Sequence, residues 1–554
     1  MRPRRSRKIW SPRSLASPWA LWAVVALLLV AGLFGGTVTS SFLSDDFNIV
    51  DDLREAGPWS RWASSGDPFL RPLVSALYYL DLKLWGLNPR GFHLTNLLLH
   101  WLAALGVTAL AGQLIARGTT LAAGPRWELA LGAGLVFLAH PSHLEPIAWI
   151  AARGDLQVTV AALACLIAHN RWRTGGGWVW RGSSLLALVA ALGSKEAALT
   201  LPLALVAMDF LLLSEGSWWR RLVVALRGAT PLLGVLPLYV ILRWWWLGEV
   251  VGGYGVESHF AIDPWYLLGQ LFTFFSRAVI PRIAGQQLPT IALGALVMAL
   301  TAWLVYQMRY SSNSLTRSPS SSRQLLRFLP LALVLFAVTS LPALSLPLSS
   351  STSHGERLLY LPSIFAAVFL SSVLWLAFPS PPWRRFAVGV VVVLFSAQVL
   401  QEGRFWRQAS SLAATIKAEV LASQQKGKLY LFAMPDSLGG AFVFRNGLRA
   451  ALRLEESEND DKFVVVHWVE LPESSFRLKG ERLGRVFTID AVDSDPRFRF
   501  RLPAQRRSAA VEEKGKGRFR RRFRLPNLAP EDRVLLFTVG EVQVLQEGRP
   551  LPAP

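Results

Sequence analysis

The feature that most constrains the fold is a series of apolar blocks, each roughly 20 residues long, that recur between residues 18 and 401. A helix of about 20 apolar residues is long enough to cross the hydrocarbon core of a bilayer. Of the 554 residues, 52% are hydrophobic and 17% are charged. Soluble proteins carry charge on roughly a quarter of their residues. The sequence therefore predicts an α-helical polytopic membrane protein.

The apolar blocks predict about eleven transmembrane helices. They cover residues 18–38, 91–116, 127–147, 155–170, 183–194, 197–213, 222–242, 290–308, 328–347, 358–378 and 385–401. The block at 183–194 is short, and we expect its helix to begin before Ser183. The apolar stretch 265–280 could be a further span, which would reverse the orientation of all that follows. We favour a helix that lies in the interface or re-enters the membrane.

Charge in the connecting segments predicts the orientation. The basic segment 1–17 and the later segments on the same side are rich in Arg and hold one acid, Glu215, whereas acids outnumber bases in the first segment on the other side, 41–90. Basic loops stay in the cytoplasm. We therefore expect a retained signal-anchor helix, a cytoplasmic N-terminus and an inner (plasma) membrane location, with the C-terminal domain periplasmic or extracellular.

The composition divides the chain into three parts. Residues 1–17 form a basic cytoplasmic N-terminus, 18–402 a transmembrane domain with long exterior loops at 41–90 and 243–289, and 403–554 a soluble domain. That last part is long enough to bury its own core.

Short runs of β-branched and aromatic residues predict strands in the soluble domain, at 429–432, 463–466 and 534–537. Residues 446–454 have the pattern of a short amphipathic helix. The domain is therefore expected to be a small α+β fold. Its basic tract at 518–524 fits anionic lipid headgroups or acidic glycans, or the solvated face of a hairpin.

The net charge of +21 could indicate nucleic-acid binding. Much of the basic charge lies in short loops between apolar blocks, where it sets topology, and we expect no nucleic-acid partner. The single cysteine, Cys165, excludes a disulfide within the chain.

Acids, bases and histidines gather at the segment ends that this topology places on the exterior face. They are Asp45, Asp46, His140, His143, Glu145, Arg153, Asp155, Lys195, Glu196, His354, Glu356, Arg357 and Tyr360. Chance would scatter such residues over both faces, and ionisable groups at a membrane boundary are costly unless they face water or a polar site. The pattern predicts an active site for a charged, lipid-linked substrate.

Glycosyl transfer from a polyprenyl-phosphate sugar fits this set of side chains. A carboxylate can deprotonate an acceptor hydroxyl as it attacks the anomeric carbon, and the leaving phosphate needs positive charge. The candidate bases are Asp45, Asp46 and Glu145, the candidate phosphate contacts are Arg153, Lys195 and Arg357, and the other site candidates are His140, His143, Glu196 and Tyr360. A single displacement with inversion is expected, onto a hydroxyl of a protein, glycan or lipid.

Several motifs resemble the membrane half of the TMTC-type protein O-mannosyltransferases. They are Asp45-Asp46 after the first span, residues 90–100 (RGFHLTNLLLH), residues 139–153 (AHPSHLEPIAWIAAR), residues 193–196 (GSKE) and residues 356–363 (ERLLYLPS). The resemblance covers about residues 40–400. It implies a fold of the GT-C superfamily, whose members use dolichyl- or undecaprenyl-phosphate sugars.

The resemblance also implies residue roles. Asp45 would act as the base on the acceptor, Glu145 would be a second exterior acid, and Arg357 would contact the donor phosphate. The chain departs from the family in two ways. No tetratricopeptide repeat follows the membrane half, as expected for a bacterial relative, and the last motif reads Arg-Leu-Leu-Tyr where the family has Arg-Tyr-Leu-Tyr. The first departure leaves recognition of a protein acceptor open.

Two further alternatives stay open at the level of sequence. His140, His143 and Glu145 could hold a divalent cation, since the spacing offers three ligands, although such histidines more often cap helix ends or hydrogen-bond to substrate. No cofactor is certain.

The activity could also be that of an O-antigen ligase-like transferase with a diphosphate-linked glycan. A lipid or glycan transporter would instead show internal repeats and polar residues near the bilayer midplane.

Overall fold

The computed structural model describes most of the helical part of the chain and the strands that follow it. The described residues are 16–58, 69–213, 216–248, 263–282, 287–310, 324–346, 348–349, 352–423, 427–456, 462–466, 468–471, 477–483, 486–492, 499–501, 510–515, 518–524, 532–538 and 541–544. Nearly all of the predicted basic N-terminus, 1–17, lies outside them, as do parts of both predicted exterior loops.

As far as residue 423, the described chain consists of α-helices joined by loops and short 3-10 turns. They are α1 (Ala16–Phe34), α2 (Asp45–Ala56), α3 (Pro72–Trp85), α4 (Pro89–Gly118), α5 (Ala123–Leu138), α6 (Leu144–Ala148), α7 (Arg153–Arg173), α8 (Trp178–Leu192), α9 (Leu201–Leu212), α10 (Trp218–Leu233), α11 (Val235–Leu247), α12 (Pro264–Val279), α13 (Gln287–Tyr310), α14 (Phe328–Ser340), α15 (Ser363–Ala377) and α16 (Pro381–Ala422). As expected, α8 begins before Ser183.

Six helical segments of the described chain are long and apolar enough to cross a bilayer. They are Pro18–Thr39, Pro89–Gly118, Ile150–Arg173, Trp218–Leu247, Leu288–Gln307 and Pro381–Ala422. Leucines on their surfaces are widely exposed, for example Leu28 at 66%, and such apolar surface is stable against lipid. The protein is thus a helical membrane protein, and the count of about eleven spans stays a prediction.

One predicted span is interrupted. The apolar block 127–147 is helical only as far as Leu138, where α5 ends. His140 is extended, with φ −67° and ψ 127°, as the residue before a proline prefers. Two short 3-10 turns, Pro141–His143 and Ile150–Ala152, and the five-residue helix α6 then lead to α7. Residues 139–152 therefore fold back at the end of the helical region instead of continuing a span.

The last predicted span is longer than its apolar block. Helix α16 runs for 42 residues, from Pro381 to Ala422, whereas the sequence predicted 385–401. The expected domain boundary at residues 402/403 falls inside this helix, because its second half remains a good helix former with an apolar stripe that includes Trp406, Ala413 and Val420.

Strands follow α16 and form three four-stranded sheets. The strands are β1 (Leu429–Phe432), β2 (Met434–Leu438), β3 (Ala441–Phe442), β4 (Phe463–Val465), β5 (Trp468–Leu471), β6 (Arg477–Leu483), β7 (Val486–Val492), β8 (Arg499–Arg501), β9 (Ala510–Gly515), β10 (Arg518–Arg524), β11 (Arg533–Thr538) and β12 (Glu541–Val544). The three predicted strands coincide with β1, β4 and β11. One further helix, α17 (Leu448–Leu454), lies at the predicted position 446–454.

Strand order shows how the C-terminal strands assemble. One sheet has the order β12-β11-β1-β4, with β1 parallel to both β4 and β11. A second has the order β3-β2-β5-β8, and a third β6-β7-β10-β9. In the third sheet the basic tract forms β10, which pairs antiparallel with β7 and β9. Residues Leu429 to Phe432 of the first sheet are buried, so this sheet contributes to a core.

Candidate active site

Asp45 is the first residue of helix α2 and is half-buried. Its Oδ1 accepts a hydrogen bond from the side-chain amide of Asn446, which belongs to the C-terminal strand region. The preceding residue, Ser44, has φ 46° and ψ −113°, a conformation that residues with a side chain rarely adopt and that is often stored at functional sites. The helix N-terminus favours a negative charge at this position.

Asp46 lies beside Asp45 but is fully buried. One carboxylate oxygen accepts from the Leu43 backbone N–H at 3.0 Å, and the other from the Ala151 N–H at 2.7 Å. Burial raises the pKa of Asp46 to about 8, against the two backbone hydrogen bonds, which lower it. The carboxyl group thus ties the start of α2 to residues 150–152, and a catalytic role for Asp46 stays a prediction.

Glu145 and Arg357 form one unit. The Arg357 backbone N–H donates to Glu145 Oε2 at 2.8 Å, and its guanidinium donates to Oε1 at 2.5 Å. Glu145 is fully buried, whereas 17% of the Arg357 side chain is exposed. The guanidinium carbon lies 5.2 Å from the Trp149 ring centroid. Glu145 therefore orients Arg357, and part of the cation remains accessible to an anion.

Arg153, a predicted phosphate contact, is buried and held on several sides. It forms an ion pair with Asp81 at 2.6 Å, donates to the Asn96 side chain at 2.8 Å and donates to the Phe92 carbonyl at 2.8 Å. Its guanidinium also lies over the Tyr78 ring. These contacts join α3, α4 and α7, so the geometry gives Arg153 a bracing position.

Lys195 and Glu196 each have an ion-pair partner. Lys195 Nζ lies 2.6 and 2.7 Å from the two oxygens of Asp155, and both side chains are more than nine-tenths buried. Glu196 accepts two hydrogen bonds from Arg71. Burial alone would raise the pKa of Glu196, but the charge and hydrogen bonds of Arg71 together with the charge of Lys195 outweigh it and lower the pKa to about 2. Glu196 is therefore held ionised, mainly by Arg71.

His140, His143 and Tyr360 lie together in the buried interior. The rings of His143 and Tyr360 pack 4.5 Å apart, and those of His140 and His143 5.4 Å apart. His143 Nε2 lies 2.9 Å from Ser363 Oγ. Tyr360 Oη lies 2.7 Å from His100 Nδ1, whose other ring nitrogen lies 3.1 Å from the Leu138 carbonyl. Since that carbonyl can only accept, His100 Nε2 carries the proton and Tyr360 donates to Nδ1.

In the part of the chain that the structure describes, no group of three or more His, Cys, Asp or Glu side chains has a geometry suited to a metal ion. Of the three ligands that the sequence spacing offered, Glu145 has both oxygens on Arg357. A divalent cation stays a prediction of the sequence.

A contact chain joins Arg357 to Asp45 through the C-terminal strand region. The Trp149 ring, which lies against Arg357, packs 4.4 Å from the Phe442 ring. Phe442 packs edge-on against His354 at 5.1 Å, and Arg445 lies 3.4 Å from His354 Nε2. Asn446, the next residue, reaches Asp45. Three of the predicted site residues, Arg357, His354 and Asp45, are thus linked by contacts through the C-terminal strand region.

The environment of His354 is strongly basic. Its burial, followed by the guanidinium charges of Arg357 and Arg445, lowers the pKa of His354 to about 3. The imidazole is therefore neutral at physiological pH and can accept the hydrogen bond from Arg445. Arg357 and Arg445 therefore place two positive charges next to His354.

Sequence reasoning missed the internal partners and the C-terminal contribution. Arg71, Asp81 and Asn96 were not selected as partners, because nothing in local sequence indicates a pairing over such distances. Asn446 carried one usable signal, the Asn446-Gly447 dipeptide, which is typical of a tight turn. This dipeptide does not predict that the turn contacts Asp45.

Comparison with known proteins agrees with the resemblance described from the motifs. The protein O-mannosyl-transferase Tmtc2 of Drosophila melanogaster is 33% identical over 191 residues, which cover 33% of this chain and 18% of that protein. Human protein O-mannosyl-transferase TMTC2 is 25% identical over 280 residues, covering 46% of this chain and 32% of that protein. A relative in Caenorhabditis elegans, protein O-mannosyl-transferase F38B6.6, is 29% identical over 155 residues, covering 28% of this chain and 21% of that protein. The predicted resemblance to protein O-mannosyltransferases is confirmed.

These matches span less than a third of the length of the relatives. No protein-family model matches the chain. Among solved structures, ArnT from Cupriavidus metallidurans bound to undecaprenyl phosphate superposes with a TM-score of 0.43 and 14% identity, over 93% of this chain and 99% of that chain. A superposition this loose carries no argument about function.

Proposed function

We propose that this protein is a membrane glycosyltransferase of the GT-C type. It moves a sugar from a polyprenyl-phosphate donor to a hydroxyl acceptor, on a protein, glycan or lipid, at the exterior face of the inner (plasma) membrane. The observation that carries the proposal is a half-buried carboxylate, Asp45, and a partly exposed guanidinium, Arg357, that a chain of contacts through the C-terminal strand region joins at one end of a helical membrane region. The similarity to protein O-mannosyltransferases supports the reaction class.

In this mechanism Asp45 takes the proton of the acceptor hydroxyl. The acceptor oxygen forms a bond to the anomeric carbon while the bond from that carbon to the phosphate oxygen breaks, which inverts the configuration. The polyprenyl phosphate leaves with the electron pair of the broken bond. Because a phosphate is a good leaving group, it needs charge stabilisation rather than a proton. Arg357, oriented by Glu145, supplies that charge.

The other candidates support the scaffold around this pair. Arg153, Lys195 and Glu196 are each occupied by a partner from another segment, and these ion pairs fix the helices on which the site stands. His140, His143 and Tyr360 lie in the buried layer beneath it. None of them is needed to hold a proton in the displacement.

The test is radiolabelled sugar transfer in membranes that contain the full chain. A panel of polyprenyl-phosphate sugars is offered to the wild type, to Asp45→Asn and to the matched control Glu128→Gln. Glu128 is a carboxylate near the start of α5, at the other end of the helical region, paired with the exposed Arg385. We expect transfer by the wild type and the control and at least about a 100-fold loss in Asp45→Asn, since general bases contribute 10²–10⁴-fold.

Each other outcome has a clear meaning. Equal transfer by the wild type and Asp45→Asn removes Asp45 as the base. Transfer from a diphosphate-linked glycan alone favours the ligase-like alternative. No transfer from any donor overturns the proposed reaction and favours a transporter. The compound that carries the label identifies the acceptor as protein, glycan or lipid.

A further inference from the structure

The loop that connects β3 to α17, residues 443–447, lies directly on the start of helix α2. The Phe444 ring stacks on the Phe47 ring at 5.6 Å, with an angle of 15° between the ring planes. The Ser44 backbone N–H donates to the Val443 carbonyl at 3.0 Å. The contact is thus made by backbone as well as side chains, next to the candidate base.

Asn446 is held at both ends of its side-chain amide. Ser44 Oγ donates to Asn446 Oδ1 at 2.9 Å, and Asn446 Nδ2 donates to Asp45 Oδ1. An ionised carboxylate can only accept hydrogen bonds, so the amide must present its NH₂ group to Asp45. Its oxygen then faces the one neighbour that can donate, the Ser44 hydroxyl. This network fixes the amide in a single orientation.

The backbone around this contact has little freedom to move apart. Gly447 has φ +81°, and a Cβ atom there would lie 2.1 Å from the Ser44 carbonyl oxygen, so only glycine permits the approach. Ser44 itself has the unusual φ of 46°. A backbone conformation of this cost persists only where its surroundings enforce it. The start of helix α2 and the loop 443–447 are therefore closely fitted to each other at Asp45.

We propose that Asn446 is a positioning residue for Asp45, so that the C-terminal strand region completes the active site of the membrane region. This proposal rests on the proposed function of Asp45 as base. The amide donor holds Oδ1 of Asp45 and so fixes the carboxylate in place as it takes the acceptor proton. A base that is fixed in this way loses less orientational freedom in the transition state.

The experiment compares two interdomain contacts in the full-length protein. Asn446→Ala removes the donor to Asp45, whereas the matched control Arg453→Gln removes the ion pair to Asp51, 2.6 Å long, on the same helix α2. We expect Asn446→Ala to lower kcat about 10- to 100-fold with little change in the KM for the donor, since a hydrogen bond to a charged group has this worth. Arg453→Gln should keep kcat within about twofold of the wild type.

A double-mutant cycle gives the decisive readout. In the Asp45→Asn background, Asn446→Ala should cause no further loss of transfer, because the group it positions is already gone. If Asn446→Ala does not fold, as judged by thermal melting, Asn446→Asp takes its place. That variant keeps the shape of the side chain, sets a second carboxylate against Asp45, and is expected to lose more activity than the control Arg453→Gln.

The failures can be told apart. Equal effects of Asn446→Ala and Arg453→Gln, or additive losses in the cycle, overturn the positioning role while the wild-type activity still supports the proposed function. Full activity of Asp45→Asn, or no transfer by the wild type, overturns the proposed function and this proposal with it.

Discussion

Two carboxylates at opposite ends of the helical region have different surroundings. At the end away from the C-terminal strands, Asp209 is fully buried and contacts Arg117 at 2.8 Å, Arg173 at 2.8 Å and His169 at 3.0 Å. At the other end, Asp45 is half-buried and its Oδ1 accepts a hydrogen bond from the Asn446 side-chain amide. Asp209 is thus enclosed by two arginines and a histidine, whereas Asp45 lies at a helix N-terminus and is oriented by an amide.

This difference separates a bracing carboxylate from one suited to chemistry. A fully buried carboxylate with two arginine partners is a poor proton acceptor and offers no surface to a substrate. The half-buried Asp45 keeps part of its surface exposed. The same distinction applies among the cations, since Arg153 is enclosed whereas Arg357 is partly exposed.

The largest effect on stability is expected at Asp209. Asp209→Asn leaves Arg117 and Arg173 without their buried counter-charge, and breaking a buried ion pair costs about 3–5 kcal/mol. Thermal melting in detergent should show a strong loss, while kcat per folded molecule stays unchanged. The control Glu128→Gln removes a surface ion pair and should cost less than about 1 kcal/mol. A drop in kcat without a loss of stability in Asp209→Asn would break the comparison.

The next effect concerns Arg357 and is kinetic. Arg357→Gln removes the proposed charge on the leaving phosphate and should lower kcat/KM about 100-fold, or about 2.7 kcal/mol. Steady-state transfer assays measure it, with Arg117→Gln as the cation control at the opposite end. Arg357→Lys keeps the charge and should recover part of the loss. If Arg117→Gln lowers kcat/KM as much as Arg357→Gln, the loss does not report a phosphate contact that is specific to Arg357.

A smaller effect sharpens the contrast between the adjacent acids Asp45 and Asp46. Because burial raises the pKa of Asp46 from its ordinary value of 3.8 to about 8, the stability that Asp46 contributes in its protonated form is fully present below about pH 4. It is lost as the pH rises through about 8. Asp46→Asn does not titrate, so the melting temperature of the wild type relative to this variant should fall between pH 5 and pH 8.5.

The exposed Glu55 on the same helix provides the control for this measurement. Glu55→Gln should differ from the wild type by a constant amount over the same pH range. A constant difference for Asp46→Asn as well would mean that Asp46 does not titrate there.

The smallest perturbation tests which end faces the exterior. In a Cys165→Ser background, single cysteines replace Gly124 and Ser411, both exposed, and a Cβ at Gly124 meets no atom within 4 Å. A membrane-impermeant maleimide on intact cells should label Ser411→Cys, whereas Gly124→Cys should react only after permeabilisation. Activity should be unchanged in both. The reverse pattern would place the proposed site in the cytoplasm.

Hydrophobic length was enough to predict most helices of the membrane region, because helix formation there depends on local composition. Helices α4, α7 and α13 each cover a predicted apolar block. The same criterion failed at residues 139–147, the end of a predicted span, where the chain leaves the helix after Leu138. There Pro141 favours an extended His140, and the polar residues Ser142, His143 and Glu145 interrupt the apolar block.

For the site, the sequence predicted the candidates but not their surroundings. Asp45 and Arg357 could be selected from their motifs, whereas the ion pairs that enclose Arg153 and Lys195 depend on contacts between distant segments. The meeting of Asp45 and Asn446 joins residues 401 positions apart. Such pairings are set by how whole helices pack, and no local pattern encodes them.

The length of helix α16 has a consequence for the geometry of the whole protein. Its 42 residues give a rod about 63 Å long, roughly twice the hydrocarbon thickness of a bilayer. The helix is therefore longer than the bilayer core is thick, and its second half leads directly to the strands. One inserted residue in that half would lift them by about 1.5 Å and turn them by about 100°. Loop 443–447 would then move away from Asp45. The length of the second half of α16 is therefore constrained even where its side chains are exposed.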